Sequence, residues 1–310
     1  MTAFMTFLSE KIERYIELRR SLGYAFDKQA GTLRAFVHHV ESFRLDGPAT
    51  RTMAQDFVLS FRGAANSRAV RHGVLRRFYE YLALYDARTE ALERKAFHRS
   101  RAIPPPRIVT EAELASLIEA CSLLSPGLPL VGRTMSTLIG LLASTGLRSG
   151  EAIGLNRGDV DLARGVIIIR KSKFRKDRLV PVHPTTRAAL HRYARERDAA
   201  FPKPVDAGFF LSSRGCRLSA AGLQCNFVKA RKHASLDDGK PLRPHDLRHQ
   251  FAVIRLTLWH QQCADVQALL PLLATYLGHA SYSDTAYYLT GSSDLLAVAA
   301  ERAFTDGGAA

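Results

Sequence analysis

Two short clusters of histidine, arginine and tyrosine carry the side chains that could do chemistry. Residues 244–249 read Pro-His-Asp-Leu-Arg-His, so His245 and Arg248, three residues apart, share one face if this segment is helical. Further along, His279 is followed nine residues later by Tyr288. An arginine presents a planar fork of donors that matches a phosphodiester, and a tyrosine hydroxyl can act as a covalent nucleophile. In a basic protein, these side chains predict a site that binds a phosphate and attacks it.

Two more segments upstream belong with these clusters. Residues 143–155 read Ala-Ser-Thr-Gly-Leu-Arg-Ser-Gly-Glu-Ala-Ile-Gly-Leu, and residues 173–181 read Lys-Phe-Arg-Lys-Asp-Arg-Leu-Val-Pro. The first resembles the first box of the tyrosine recombinases, the group of phage integrases and Xer enzymes, and the second resembles their β-hairpin with its catalytic lysine. The segments 245–248 and 278–288 resemble their second box. The four segments follow the order and nearly the spacing of that family, and the close resemblance covers roughly residues 110–290.

The resemblance implies a role in phosphate binding for five of these residues. Arg148 and Arg248 would neutralise the non-bridging oxygens, and Glu151, one helical turn from Arg148, would orient that arginine. A surface salt bridge is the alternative reading of the Arg148–Glu151 pair. His245 would accept the nucleophile's proton or bind the same phosphate, and His279 would donate a hydrogen bond to it.

The resemblance also implies a nucleophile and an acid for the leaving group. Tyr288 would attack the phosphate. Tyr287 is its main competitor, and Tyr282 and Tyr276 lie further off. The nine-residue step from His279 favours Tyr288. Lys173 would protonate the 5′-oxygen as it leaves. The neighbouring lysines Lys171 and Lys176 stay open as alternatives, because this hairpin tip is one residue longer before the lysine than the common form.

The bulk composition favours a nucleic-acid partner. The chain has 310 residues and a formal net charge of +15, which argues for a polyanion. No segment approaches the ~18 uninterrupted apolar residues of a membrane-spanning helix, and no basic stretch precedes the apolar residues at the N-terminus. The four cysteines form no Cys-x-x-Cys pair, and there is no glycine-rich phosphate loop. We therefore expect a cytoplasmic, nucleoid-associated protein with no metal site and no cofactor.

The pattern of apolar residues predicts a mainly α protein with a small β-sheet in two domains. Residues 1–103 contain four amphipathic segments, and the prolines in 103–107 break any helix there. The resemblance implies that 1–103 is a helical, SAM-like core-binding domain and that 104–310 is the α+β catalytic domain. Basic side chains that could face DNA are Arg68, Arg71, Arg76, Lys229 and Arg231.

Three short segments of the second domain are predicted to be strands, and two others are left partly open. Residues 165–170 and 179–182 should form the hairpin, and 209–212 should add a third strand. The stretch 258–269 is an insertion that could extend a helix or contact a neighbouring subunit. Residues 292–304 read as a final amphipathic helix, which in the family often docks on an adjacent protomer.

The resulting hypothesis is a site-specific recombinase of a mobile element that integrates, excises or transposes DNA through a covalent 3′-phosphotyrosyl intermediate. It would act as a homotetramer on double-stranded core sites, joined through the C-terminal helix, with sister recombinases as further partners. A type IB topoisomerase that relaxes DNA is the nearest alternative. A non-catalytic DNA-binding regulator of the same fold is a third.

Overall fold

The computed structural model of the chain describes residues 2–97, 106–170, 177–239 and 241–279. The chain forms two compact units, Met1–Pro104 and Pro105–Ala310. The described residues form eleven α-helices, two 3-10 turns and one three-stranded sheet, so the predicted fold class is confirmed. None of the helices in these ranges is long and apolar enough to cross a membrane.

The first unit is a group of four helices around one apolar core. They are α1 (Ala3–Ser21), α2 (Asp27–Ser42), α3 (Arg51–Ser60) and α4 (Ala65–Leu82). Thr2 and Thr50 cap α1 and α3 by accepting the backbone N–H three residues on. In the core, Phe36 packs edge-on against Phe57 at a centroid distance of 5.3 Å. The four amphipathic segments of the sequence therefore correspond to four helices.

The second unit is built around one buried helix. Its helices are α5 (Glu111–Ala120), α6 (Pro129–Thr145), α7 (Ser149–Gly154), α8 (Pro184–Ala200), α9 (Ala220–His233), α10 (Asp246–Gln261) and α11 (Val266–Leu277). Helix α6 contacts α5, α8, α9 and α10, and Met135, Leu138 and Leu142 on it are fully buried. It ends at Gly146, whose φ of +62° and tight packing exclude a side chain, because a Cβ there would lie 2.6 Å from Phe251 Cδ1.

The sheet is antiparallel, with the order β1 (Val160–Asp161), β2 (Val166–Ile169) and β3 (Arg178–Pro181). Ile169 pairs with Arg178 at the end of the β2–β3 hairpin next to the connecting loop, and this pairing confirms the two predicted hairpin strands. The prediction of a strand at 209–212 is wrong. Both Phe209 and Phe210 are buried, without the alternation of a half-exposed strand. The third strand is β1 instead.

Backbone hydrogen bonds show why 209–212 is not a strand. Phe209 N–H donates to the Leu155 carbonyl at 2.8 Å, and Leu211 N–H donates to the Tyr193 hydroxyl at 3.0 Å. Only isolated bridges are formed, by Gly208 and Leu211. The stretch 258–269 forms the end of α10, a turn and the start of α11, where Asp265 caps α11 by accepting the Ala268 N–H.

Candidate active site

Arg148 lies at the start of α7, where Glu151 fixes its orientation. One Glu151 oxygen accepts the Arg148 backbone N–H at 3.1 Å, and the other accepts Nη1 at 2.8 Å. Nη2 donates to the Gly278 carbonyl at 3.0 Å. These side-chain bonds use two of the five guanidinium N–H groups, and the side chain is 29% exposed. The other three N–H groups make no bond within the described ranges, so an anion could bind there.

Arg248 is almost fully buried, at 1% exposure. Its Nη1 donates to the Gly146 carbonyl at 2.7 Å and its Nη2 to the Leu277 carbonyl at 2.8 Å. Both carbonyls lie at helix C-termini, where the dipoles of α6 and α11 place partial negative charge. Arg248 therefore joins two helix ends in addition to the phosphate contact that the sequence predicts.

The end of α11 brings three arginines together. Gly278 has a φ of +69°, its N–H donates to Thr275, and the His279 N–H donates to Ala274 at 2.9 Å, which is a Schellman motif. That motif leaves the carbonyls of residues 276, 277 and 278 without helical donors. They accept from Arg178, Arg248 and Arg148, respectively. His279 is thus the residue that follows this three-arginine cap.

Arg178 is the member of this cap that the sequence analysis did not identify as functional. Its Nη1 and Nη2 donate to the two Glu151 oxygens at 3.1 and 2.7 Å, and its Nε donates to the Tyr276 carbonyl at 3.0 Å. Two residues before the buried Val180 on β3, it faces the same side of the sheet. The two-residue alternation of β3 could have identified Arg178 from the sequence. It places the arginine on the buried face, where its guanidinium needs an acceptor.

Two neighbouring imidazoles lie at the start of α10. The rings of His245 and His249 are 4.8 Å apart and nearly perpendicular. Protein atoms packed around one side of His245 lower its pKa, and the charge of Arg248 lowers it further, although the residue keeps exposed surface. Burial and the neighbouring His245 lower the pKa of His249 to about 4. Both rings are therefore neutral at pH 7, and His245 can accept a proton.

Asp246 supports this start of α10 from inside. Its carboxylate is 1% exposed and accepts from Arg243 Nη2 at 2.7 Å and from the Arg243 backbone N–H at 2.8 Å. Arg148, Arg178 and Arg248 bring three positive charges to the end of α11, and Glu151 is the one carboxylate shown to pair with them, through Arg148 and Arg178. The excess of positive charge suits a phosphate ligand.

The predicted nucleophile Tyr288 and the predicted acid Lys173 lie outside the described residues. The same holds for their competitors Tyr287, Lys171 and Lys176. The described site therefore comprises Arg148, Glu151, His245, Arg248 and His279 of the predicted set, and Arg178 in addition.

Tyr276 is close to the site but is unsuited to act as the nucleophile. Its ring stacks on Phe251 at 5.6 Å, and its hydroxyl donates to the Pro181 carbonyl at 3.3 Å. Burial raises the pKa of Tyr276 to about 12, so the phenolate is strongly disfavoured.

The basic side chains predicted to face DNA differ in their availability. On α4, the Arg71 guanidinium lies 3.6 Å from the Phe61 ring centroid, and Arg68 Nε reaches the Phe61 carbonyl at 3.4 Å. Arg76 on the same helix pairs with Glu80. Arg68, Arg71 and Arg76 are all partly exposed, so each retains a solvent-facing side.

The two basic residues of α9 have opposite environments. Lys229 is exposed, whereas Arg231 is 9% exposed. Arg231 donates to the Leu242 carbonyl at 2.9 Å and pairs with Asp237 at 2.8 Å. The prediction that Arg231 faces DNA therefore does not fit its position, because its guanidinium holds the loop after α9. Within the described ranges, no group of three or more His, Cys, Asp or Glu residues could hold a metal.

Comparisons with known proteins show the family to which the chain belongs. The phage integrase family profile matches residues 107–293. The "Putative integrase/recombinase y4rE" of Sinorhizobium fredii is 77% identical over 310 residues and covers 100% of both chains. The "Tyrosine recombinase XerC" of Oceanobacillus iheyensis is 34% identical over 62% of this chain and 59% of that protein. The chain belongs to the phage integrase family, the tyrosine recombinases of site-specific DNA recombination.

Solved structures share the fold. The Tn1549 transposon integrase in complex with transposon right end DNA has a TM-score of 0.64 at 19% identity, covering 94% of this chain and 98% of that one. The XerH recombinase bound to its difH substrate has a TM-score of 0.62 at 22% identity, covering 94% and 84%. At these identities the likeness concerns the fold alone.

Proposed function

We propose that this protein cleaves and rejoins DNA at specific sites through a covalent 3′-phosphotyrosyl link to Tyr288. One observation carries the proposal. Arg148 is oriented by Glu151 and Gly278 and keeps three N–H groups for a phosphate, directly beside the helix end that leads through His279 towards Tyr288. A phosphate bound there would lie beside the first residues of the chain segment that leads from α11 to the nucleophile.

The phosphate would be stabilised by the two arginines as charge builds up in the transition state. Arg148 would bind one non-bridging oxygen and Arg248 the other, with His279 as a third donor. Both guanidiniums are already oriented by protein carbonyls, so little reorganisation of the arginines is needed when DNA binds. Removing one such donor typically costs a few kcal/mol of transition-state stabilisation.

The proposed reaction balances in bonds and protons without an added reagent. As the Tyr288 oxygen bonds to phosphorus, the bond from phosphorus to the 5′-oxygen breaks, His245 accepts the phenol proton and Lys173 protonates the leaving oxygen. The 5′-hydroxyl of a second strand then attacks the phosphotyrosine and releases the phenol. Because the covalent link conserves the bond energy, ATP is not required.

The two units would divide the work on DNA. The four-helix unit, predicted as residues 1–103, would grip the core site, with the partly exposed arginines of α4 on phosphates. The unit predicted as 104–310 would carry the chemistry, with Lys229 as a further contact. Four copies would assemble on two core sites.

Covalent capture tests the proposal. Nicked, end-labelled duplexes tiled across the DNA that flanks the gene trap the intermediate, because the short cleaved strand diffuses away. We expect the wild-type protein and Tyr287→Phe to retain label through a denaturing gel, and Tyr288→Phe to retain none. Label retained by Tyr288→Phe, or lost only in Tyr287→Phe, would refute the assignment. Relaxation of a supercoiled plasmid without any core site would favour the topoisomerase alternative.

A further inference from the structure

We propose that Arg178 is a positioning residue. It fixes Arg148 and the end of α11 in position relative to the β2–β3 hairpin. The inference rests on the proposed function for its catalytic consequence only. Its structural part, that one guanidinium fixes the helix end before His279, stands on geometry alone.

Arg178 is an internal connector rather than a phosphate ligand. Its side chain is 8% exposed, and its bonds within the described ranges run to protein acceptors, two to Glu151 and one to the Tyr276 carbonyl. The bonds to Glu151 are a two-point fork on a carboxylate, the geometry that gives an arginine most directional control. The surface-facing arginine of the pair is Arg148, at 29% exposure.

Glu151 passes this control on to Arg148. Each of its oxygens accepts one bond from Arg178 and one from Arg148. Burial by itself would raise the pKa of Glu151, but the bonds and charge of Arg178, followed by those of Arg148, outweigh it and lower the pKa. Without Arg178, the carboxylate would lose the larger of its two stabilising partners.

Gly278 records how closely Arg178 approaches the helix end. A Cβ at this position would lie 2.6 Å from Arg178 Nη1 and 2.8 Å from its Cζ. The guanidinium therefore occupies the space that a side chain at position 278 would need, while Nε bonds to the Tyr276 carbonyl. Because Arg178 is also the first residue of β3 and pairs with Ile169, any shift of the hairpin at this pair would be transmitted to residues 276–278.

Hydrogen exchange in the full-length protein tests the structural part. Arg178→Lys keeps the charge, but a single ammonium cannot reach both Glu151 oxygens and the Tyr276 carbonyl. We expect the amides of Gly278 and His279 to exchange about tenfold faster in this variant, since lost charged hydrogen bonds lower local stability by that order. Arg170→Lys is the matched control, because Arg170 pairs with Asp159 at the same hairpin without contacting α11.

Covalent capture with the same nicked duplexes tests the catalytic part. Arg178→Lys should form adduct roughly 10- to 100-fold more slowly, while non-covalent DNA retention in a native gel stays at the wild-type level. In Arg178→Met, the pKa of Glu151 should rise. The ratio of its adduct rate to the wild-type rate should therefore fall as the pH is lowered, because protonation of Glu151 releases Arg148 more readily in this variant.

The outcomes separate the two proposals. Unchanged exchange at Gly278 and His279 in Arg178→Lys overturns the positioning role, whatever happens to activity. Exchange that rises equally throughout the second unit also overturns it, because that result indicates a general loss of stability. If the wild-type protein forms no adduct, the proposed function fails, and the exchange experiment still decides the role of Arg178.

Discussion

The two arginines predicted to bind one phosphate have different structural duties. Arg248 is 1% exposed and supplies the donors for two helix ends, whereas Arg148 is partly exposed and keeps donors in reserve. Substitution of Arg248 should therefore affect folding and chemistry together, and substitution of Arg148 should affect mainly chemistry.

Unfolding measurements distinguish these duties. Arg248→Met leaves the Gly146 and Leu277 carbonyls without donors in a dry interior, so the free energy of unfolding should fall by roughly 2 to 5 kcal/mol. Arg148→Met should cost about 1 kcal/mol, because water can replace its bonds. The single tryptophan, Trp259 on α10, reports unfolding of the second unit in urea. Equal losses in the two variants would contradict the burial argument.

The histidine pair predicts how stability depends on pH. The imidazole of His249 takes up a proton near pH 6.5 when unfolded but only near pH 4 in the folded chain. The unfolded state then binds more protons, so stability should fall as the pH is lowered through this window. His249→Asn should decline less steeply, with His245 retaining part of the slope.

The exposed His191 on α8 provides the control for that measurement. His191→Asn should follow the wild-type curve. If His249→Asn loses stability as steeply as the wild-type protein between the two pH values, the imidazole does not have the environment described.

The sequence predicted most of the residues at this site, and the reason is local. Residues 143–155 and 245–248 carry recognisable motifs because each sits on one turn or helix start. Arg178 was missed because its partners, Glu151 and Tyr276, become neighbours only through the strand register and the end of α11. Arg231 was misread for a similar reason, since its partners lie in the loop that follows α9.

At the scale of elements, helices were predictable and the short strands only partly so. Apolar residues at three- and four-residue spacing located all four helices of the first unit. The run Phe-Phe-Leu at 209–211 reads as a strand, but the N–H groups of Phe209 and Leu211 bond to Leu155 and the Tyr193 side chain. No local pattern reveals such distant acceptors.

The end of α11 is the element on which the site depends most, and glycine is required there twice over. Gly278→Ala would place a side chain at a φ of +69° and drive its Cβ into Arg178. Gly239→Ala would place a side chain at a similarly unfavourable φ of +88°, but no atom lies within 4 Å of its Cβ. We expect Gly239→Ala to cost about 1 kcal/mol and Gly278→Ala at least twice that.

Adduct formation separates the two glycine variants more sharply than stability does. Gly278→Ala should slow covalent capture roughly 100-fold, because the carbonyls that hold Arg148 and Arg248 shift with the helix end. Gly239→Ala should react at the wild-type rate. Equal rates in the two variants would mean that the three-arginine cap does not position the reacting groups.

At the scale of the whole molecule, an apolar face on α10 and α11 bears on assembly. Phe251, Trp259, Leu272 and Tyr276 line a groove on it, and Leu272 is 64% exposed. The amphipathic segment 292–304 follows this face in the chain. Because the resemblance implies that this segment docks on an adjacent protomer, the groove is the surface on which we expect the segment of a neighbouring copy to bind.

Assembly on DNA tests that occupant. Leu272→Glu should bind a single core site normally but fail to form the tetramer on paired sites, as measured by light scattering of the complex. Val205→Glu, at a residue that is 81% exposed and away from the groove, should assemble normally. Normal assembly by Leu272→Glu would assign the segment to another surface or to its own chain.

We expect the described cluster to hold a phosphate within reach of the Tyr288 hydroxyl. Mass spectrometry of the trapped adduct after nuclease digestion, with fragmentation to locate the nucleotide, tests this expectation. We expect a single 3′-linked nucleotide on Tyr288 in the wild-type protein and no adduct above background in Arg148→Met. A nucleotide on Tyr287 or on any other residue, or undiminished adduct in Arg148→Met, would contradict it.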